Sequence, residues 1–224
     1  MTRPSLVLYL DVVSPFAYLA FHVVRTSPAF EQCDVRFVPV FLGGIMKACG
    51  NTPPANIKNK AEWVGKERLR WARGFNVPMA NEMPSGFPRN TIQVQRALSA
   101  VELLHPENLT ETFATLYHIS FVERKDIHTL DLIGPIFSKI FGETQAKEIL
   151  TKATSDEVKK HLTAKTEEAL AEGSFGLPWF VATNAKGDKE CYWGFDHLAQ
   201  VVDHLGLERP QPSIVSGRGW RAML

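Results

Sequence analysis

Ser14 follows the apolar run Leu6-Val7-Leu8-Tyr9-Leu10 after the short link Asp11-Val12-Val13 and stands directly before Pro15-Phe16-Ala17. The run has the length and composition of a short buried strand. Pro15 through Arg25 reads as a helix, which puts Ser14 at a strand-to-helix turn with its hydroxyl where the first backbone N–H groups point. A Ser-Pro pair is an ordinary way to start a helix, with Ser as N-cap and Pro at the first helical position. A hydroxyl in that place can also donate its proton to an anion held at the positive end of the helix dipole. The reaction that profits from both is activation of a thiol, whose thiolate form is the nucleophile. No Gly-x-Ser-x-Gly elbow surrounds Ser14, so its own oxygen is not read as a nucleophile.

Three further stretches carry chemistry. In Ser174-Phe175-Gly176-Leu177-Pro178 a proline opens a strand after a Gly-Leu pair, a candidate cis peptide, although trans is the commoner state of X-Pro bonds. With Pro178 cis, the backbone N–H and C=O of Leu177 would stay unpaired, face Ser14 and be free to pair with an extended peptide ligand. Gly194-Phe195-Asp196 precedes the last amphipathic helix. Asp196 there is an N-cap, or an anchor for the ammonium of an amino-acid ligand whose carboxylate meets the helix-start N–H groups. Gly50-Asn51-Thr52-Pro53-Pro54, with Lys58 and Lys60 beyond it, is a stiff loop that carries an amide and nearby cations. Singly these are surface residues; as a group they suit a small anionic peptide.

The elements that must position these residues fall into three blocks. A strand at 5–11, a helix at 15–26 and a strand at 35–41 make a βαβ unit whose right-handed crossover implies parallel pairing. Turn formers fill 43–54. From about 56 to 172 helical periodicity dominates: Ile57–Phe75, a segment capped by Asn90 and running to Leu104, then 109–123, 129–141, 144–153 and 155–172, the last closed by Gly173. Residues 178–183 and 189–193 read as a hairpin across Asn184-Ala185-Lys186-Gly187-Asp188, followed by a helix over 197–205 and an irregular tail from Pro210. This is an α/β layout of the thioredoxin-like type, βαβ…ββα, interrupted by an all-helical insertion. Residues 1–56 and 173–224 form the thioredoxin-like domain, and 57–172 form the insertion. At the place where a thioredoxin-like protein carries Cys-x-x-Cys, this chain has Ser14 and Ala17. A site with that geometry and no thiol of its own is suited to a thiol from outside.

Composition narrows the field. Lys and Arg number 25 against 24 Asp and Glu in 224 residues, so no global field favours nucleic acid. Cys33, Cys49 and Cys191 are odd in number and far apart, which argues against a disulfide framework, a zinc site or an internal redox pair and favours a reducing, intracellular setting. No apolar run is long enough to span a bilayer, and the N-terminus runs straight into a strand without a signal peptide.

The stretches Tyr9-Leu10-Asp11-Val12-Val13-Ser14-Pro15-Phe16, Gly43-Gly44-Ile45-Met46-Lys47, Gly50-Asn51-Thr52-Pro53-Pro54, Phe175-Gly176-Leu177-Pro178 and Trp193-Gly194-Phe195-Asp196 together resemble the class kappa glutathione transferases. The bacterial 2-hydroxychromene-2-carboxylate isomerases share the architecture and the Ser-Pro start. The resemblance implies a transferase that joins the glutathione thiolate to small electrophiles, with hydroperoxides as further acceptors. The alternative is a glutathione-dependent cis–trans isomerase, and a third reading is a non-catalytic thioredoxin-like binding module. It implies glutathione as co-substrate, no metal, a homodimer, no nucleic-acid or membrane partner, and a mitochondrial or peroxisomal location, with the cytosol as the alternative. Carried over by position, Ser14 is the residue that hydrogen-bonds the glutathione sulfur, and Leu177 before Pro178 is the backbone partner of the cysteinyl unit. Asp196 with the Phe195 N–H anchors the γ-glutamyl group, and Asn51 and Lys60 are further contacts. The chain departs from the family pattern at Ala17 and Phe195, where Ser is common.

Overall fold

A computed structural model describes residues 2–210 and 218–223 of the chain. Strands β1 (Ser5–Leu10), β2 (Asp34–Pro39), β3 (Trp179–Thr183) and β4 (Lys189–Trp193) form one sheet in the order β2-β1-β3-β4. β1 and β2 run parallel with Ser5 opposite Asp34, while β3 is antiparallel to both of its neighbours, β1 and β4. The fold is thioredoxin-like, as the residue pattern implies. β1 is an inner strand with four of its six residues buried and none exposed, which is why it reads as an apolar run and not as an alternating one.

Helix α1 (Pro15–Thr26) crosses from β1 to β2. It buries Tyr18 and Phe21 against aromatic neighbours on both sides: Phe21 meets Phe37 of β2 at 4.7 Å between ring centroids, and Tyr18 stacks on Tyr117 at 5.2 Å. Between β2 and β3 run α2 (Leu42–Ala48), α3 (Lys60–Phe75), α4 (Ile92–Leu104), α5 (Leu109–Phe121), α6 (Leu130–Phe141), α7 (Glu143–Lys152) and α8 (Asp156–Ala171). After the sheet come α9 (Leu198–His204) and the short α10 (Arg218–Ala222). One hydrophobic cluster runs without a break from Leu8 and Phe180 of the sheet through Phe21 to Phe113, Leu98 and Ile149 of the helices. The other face of the sheet carries a smaller cluster built on Tyr9, Val38, Ile45 and Trp179.

Two elements differ from the sequence pattern. Gly43-Gly44 reads as turn material, yet it lies inside α2. The reason is packing: a side chain at Gly43 would come within 2.7 Å of the Phe41 ring, and Ile45 two residues on is fully buried. The glycines let the helix close over Phe41, and their backbone freedom is incidental. The tail contains α10, whose Trp220 is buried with its ring 5.3 Å from Phe75, a contact made across more than a hundred residues of chain. Residues 211–217 of the expected irregular tail lie outside the described residues. The segment from Asn90 is also adjusted by one residue. α4 starts at Ile92 with Thr91 as its N-cap, while Asn90 Oδ1 accepts from the Ile92 N–H at 3.0 Å.

Candidate active site at the β1–α1 turn

Ser14 is the N-cap of α1 in extended conformation, and its Oγ accepts from the Ala17 N–H at 3.2 Å. Its own N–H donates to Asp11 O at 3.0 Å, which closes the turn, and only 7% of the residue is exposed. The hydroxyl proton has one acceptor among the described residues, Leu177 O at 3.5 Å, at the outer limit of a hydrogen bond. The lone pair of Ser14 is thus committed to the helix, and its proton is loosely held and free to turn to a better acceptor.

The Leu177–Pro178 bond is cis, and the loop Ser174–Pro178 lies across the start of α1. Asn51 Nδ2 donates to Phe175 O at 2.9 Å, and Cys49 Sγ lies 3.5 Å from Ser174 O. The segment after α2 is therefore stitched to the loop that bears Leu177. Pro178 O in turn accepts from the Gly194 N–H at 3.0 Å, which brings the β4–α9 turn to the same place. Gly194 has φ 90°, and a side chain on it would strike the Asp196 carboxylate at 2.5 Å, so only glycine serves there. Asp196 is exposed, with Oδ1 3.5 Å from His197 Nδ1. The Phe195 side chain points the other way and is buried against Trp71 and Phe75, with ring centroids 5.5 and 5.1 Å away. Phe195 can therefore offer a ligand its backbone alone. Lys60 opens α3, is exposed, and makes no side-chain hydrogen bond or ion pair with a described residue. Hydrogen bonds thus connect Ser14, Leu177, Pro178 and Asn51, with Gly194 linking in the turn of Phe195 and Asp196; Lys60 stands outside this network.

One residue of the site was not singled out from the sequence. Asp11 is completely buried, and among the described residues no cation pairs with its carboxylate. Instead it accepts four hydrogen bonds: from the Val13 N–H at 3.1 Å, the Leu42 N–H at 2.9 Å, Thr91 Oγ1 at 2.7 Å and Gln95 Nε2 at 2.9 Å. Its carbonyl accepts from Ser14 N and, at 3.3 Å, from the Tyr117 hydroxyl. Asp11 thereby joins the Ser14 turn to the start of α2, to α4 and to α5. Burial pushes its carboxyl above the usual carboxylate range, and the four donors pull the other way. The only sequence signal was a charged residue at the end of an apolar strand, a place where an unpaired charge is costly.

The arrangement offers an anion the α1 N-terminus, one hydroxyl donor and a cis-Pro backbone edge. Of the chain's own thiols, Cys49 lies at the edge of this loop cluster, while Cys33 and Cys191 are elsewhere: burial pushes Cys33 up to about 11, and burial together with the nearby Glu172 raises Cys191. No group of His, Cys, Asp and Glu suited to a metal ion occurs among the described residues.

Comparison with known proteins places the chain in a thioredoxin-like family. The model of the DSBA-like thioredoxin domain matches residues 5–206. Glutathione S-transferase kappa 1 of Rattus norvegicus is 30% identical over 219 residues, covering 94% of this chain and 96% of the relative. The Homo sapiens protein of the same name is 28% identical over 220 residues, again covering 94% and 96%. Among solved structures, that of a 2-hydroxychromene-2-carboxylate isomerase superposes with a TM-score of 0.73 at 18% identity, covering 90% of this chain and 94% of that one, a likeness of fold.

Proposed function

The chain belongs to the DSBA-like thioredoxin domain family and, within it, to the kappa-class glutathione transferases, and we propose that it joins the thiol of glutathione to small electrophiles at the Ser14 turn. The observation that carries the reading is the loosely held Ser14 hydroxyl, its Oγ 3.5 Å from Leu177 O at the start of α1. A thiol of ordinary pKa, about 8.5, is only a few per cent thiolate at neutral pH. Lowering that value by about two units takes roughly 2.7 kcal/mol in favour of the anion. A helix N-terminus supplies about 0.3–1 kcal/mol, up to about 2 where partly buried. A hydrogen bond to a charged acceptor supplies about 1.5–3 kcal/mol. The two together reach the required stabilisation, and neither reaches it dependably alone.

In this reading the Ser14 hydroxyl swings from Leu177 O to the sulfur and donates to it, while its lone pair stays on the Ala17 N–H. Leu177 offers its backbone to the cysteinyl unit, as an added strand would. Asp196 and the Phe195 N–H take the γ-glutamyl ammonium and carboxylate, and Asn51 and Lys60 complete the binding edge. The thiolate then attacks an electrophilic carbon: a C–S bond forms and the leaving group departs with its electron pair. Ser14 acts as donor and neither as base nor as nucleophile. A homodimer, a mitochondrial or peroxisomal setting and hydroperoxides as further acceptors belong to the same proposal, on the strength of the family resemblance. No helix among the described residues is long and apolar enough to cross a membrane.

The test is a melting curve with and without glutathione, followed by a conjugation assay with a chloronitroarene. Glutathione should raise the melting temperature and the arene should be conjugated with release of chloride. No stabilisation by glutathione, or turnover of a chromene carboxylate with none of the arene, overturns the proposal.

A further inference from the structure

A cavity lies on the far side of α4, within the helices between β2 and β3. It has a volume of about 350 Å³ and is lined by Gln93 and Arg96 of α4, Leu130 of α6, Ala153 and Thr154 after α7, and Lys159 of α8. That volume falls within the roughly 300–1,000 Å³ of small-molecule sites. Its lining contains two cations and no carboxylate. Arg96 is half-buried, its Nε is sealed from solvent, and it makes no hydrogen bond or ion pair with any described residue. An arginine donor withdrawn from water and left without an acceptor costs free energy, which a ligand can return. The other polar groups are partly committed. Thr154 Oγ1 donates to Thr151 O at 2.8 Å, Gln93 Oε1 accepts from the Leu130 N–H at 3.1 Å, and Lys159 Nζ pairs with Asp156 at 2.9 Å. Among the lining side chains the uncommitted donors are the Arg96 guanidinium, the Gln93 amide NH₂ and the spare protons of Lys159, against one hydroxyl oxygen, that of Thr154. Leu130 and Ala153 supply the apolar part of the wall.

We propose that this cavity binds a small organic anion, which gives its phosphate or carboxylate to Arg96 and lays its apolar body on Leu130 and Ala153. The planar guanidinium fits either group by a paired hydrogen bond, and phosphate, with more oxygens and more charge, also engages Lys159. The site is distinct from the Ser14 turn. α4 presents Gln95 to Asp11 on one face and Gln93 and Arg96 to the cavity on another.

Calorimetric titration of the whole chain at constant ionic strength tests this with three probes: phenyl phosphate, benzoate and the neutral benzyl alcohol. Phenyl phosphate should bind one to one, with benzoate weaker and benzyl alcohol at least about tenfold weaker. A preference for benzoate over phenyl phosphate would assign the head group as carboxylate and still support the site. Arg96→Gln should weaken phenyl phosphate by about tenfold or more, and Lys159→Gln by about threefold. Absence of saturable binding, or affinity unchanged in Arg96→Gln, overturns the proposal. If Arg96→Gln does not fold, Lys159→Glu at an exposed position decides: reduced affinity supports the site and unchanged affinity overturns it.

Discussion

Two helix starts contribute to the candidate site, and they are built in opposite ways. The β1–α1 turn is buried and rigid. Ser14 caps α1, its N–H is tied to Asp11 O, and the Asp11 carboxylate takes four donors from its own turn, α2 and α4. The β4–α9 turn is open: Asp196 is exposed, Gly194 sets its path, and no side chain caps the short 3-10 turn at Phe195–His197. In the proposed function the difference separates two tasks. A donor that must favour an anion over its neutral form works best in a fixed, water-poor place, where reorganisation is already done. A charge that captures the ammonium of a flexible ligand can stay at the surface, where it is worth less.

The sharpest way to break this contrast is at Ser14. Ser14→Ala should lower kcat/KM at neutral pH by about 10- to 100-fold, the rate equivalent of one hydrogen bond to a charged group. The loss should shrink as the pH approaches the pKa of the free thiol. Next comes the scaffold. Asp11→Asn puts an amide NH₂ against a nest of donors and should destabilise the fold by about 1–3 kcal/mol in denaturant unfolding. Its pH dependence has a definite sign. Burial raises the Asp11 carboxyl in the folded state, so its contribution is greatest below the unfolded value near 3.9 and falls as pH rises through the folded value. The stability gap between wild type and Asp11→Asn should therefore narrow with rising pH. A widening gap would show that the four donors outweigh burial. The smallest effect belongs to the open turn: Asp196→Asn should raise the KM for glutathione about threefold to fivefold and leave kcat unchanged. A fall in kcat instead would erase the distinction between the two turns.

Much of this was legible in local sequence. The Ser-Pro start of α1, the Ser155 cap whose Oγ accepts from Val158 N at 3.3 Å, and the Asn184–Asp188 turn all act within a few residues of chain. The features that escaped depend on distant partners. Asp11 is intelligible only beside Thr91 and Gln95, some eighty residues away, and Leu42, which its carboxylate also holds. α2 was hidden because Gly43 and Gly44, ordinary turn formers, are there to clear the Phe41 ring. α10 was hidden because the burial of Trp220 depends on Phe75. The placement of Phe195 shows the same limit. Its position before Asp196 points to a contact through the backbone N–H, and what the local sequence does not show is that the aromatic side chain packs α3 against the β4–α9 turn.

The central claim is that the Ser14 hydroxyl, held at the start of α1, lowers the pKa of a bound thiol. Ultraviolet titration of thiolate formation in the protein–glutathione complex measures it directly, in wild type and in Ser14→Ala. The account predicts a bound thiol about two units below the free value of about 8.5 in wild type, and a value at least about one unit higher in the variant. The same pKa in both proteins would contradict it.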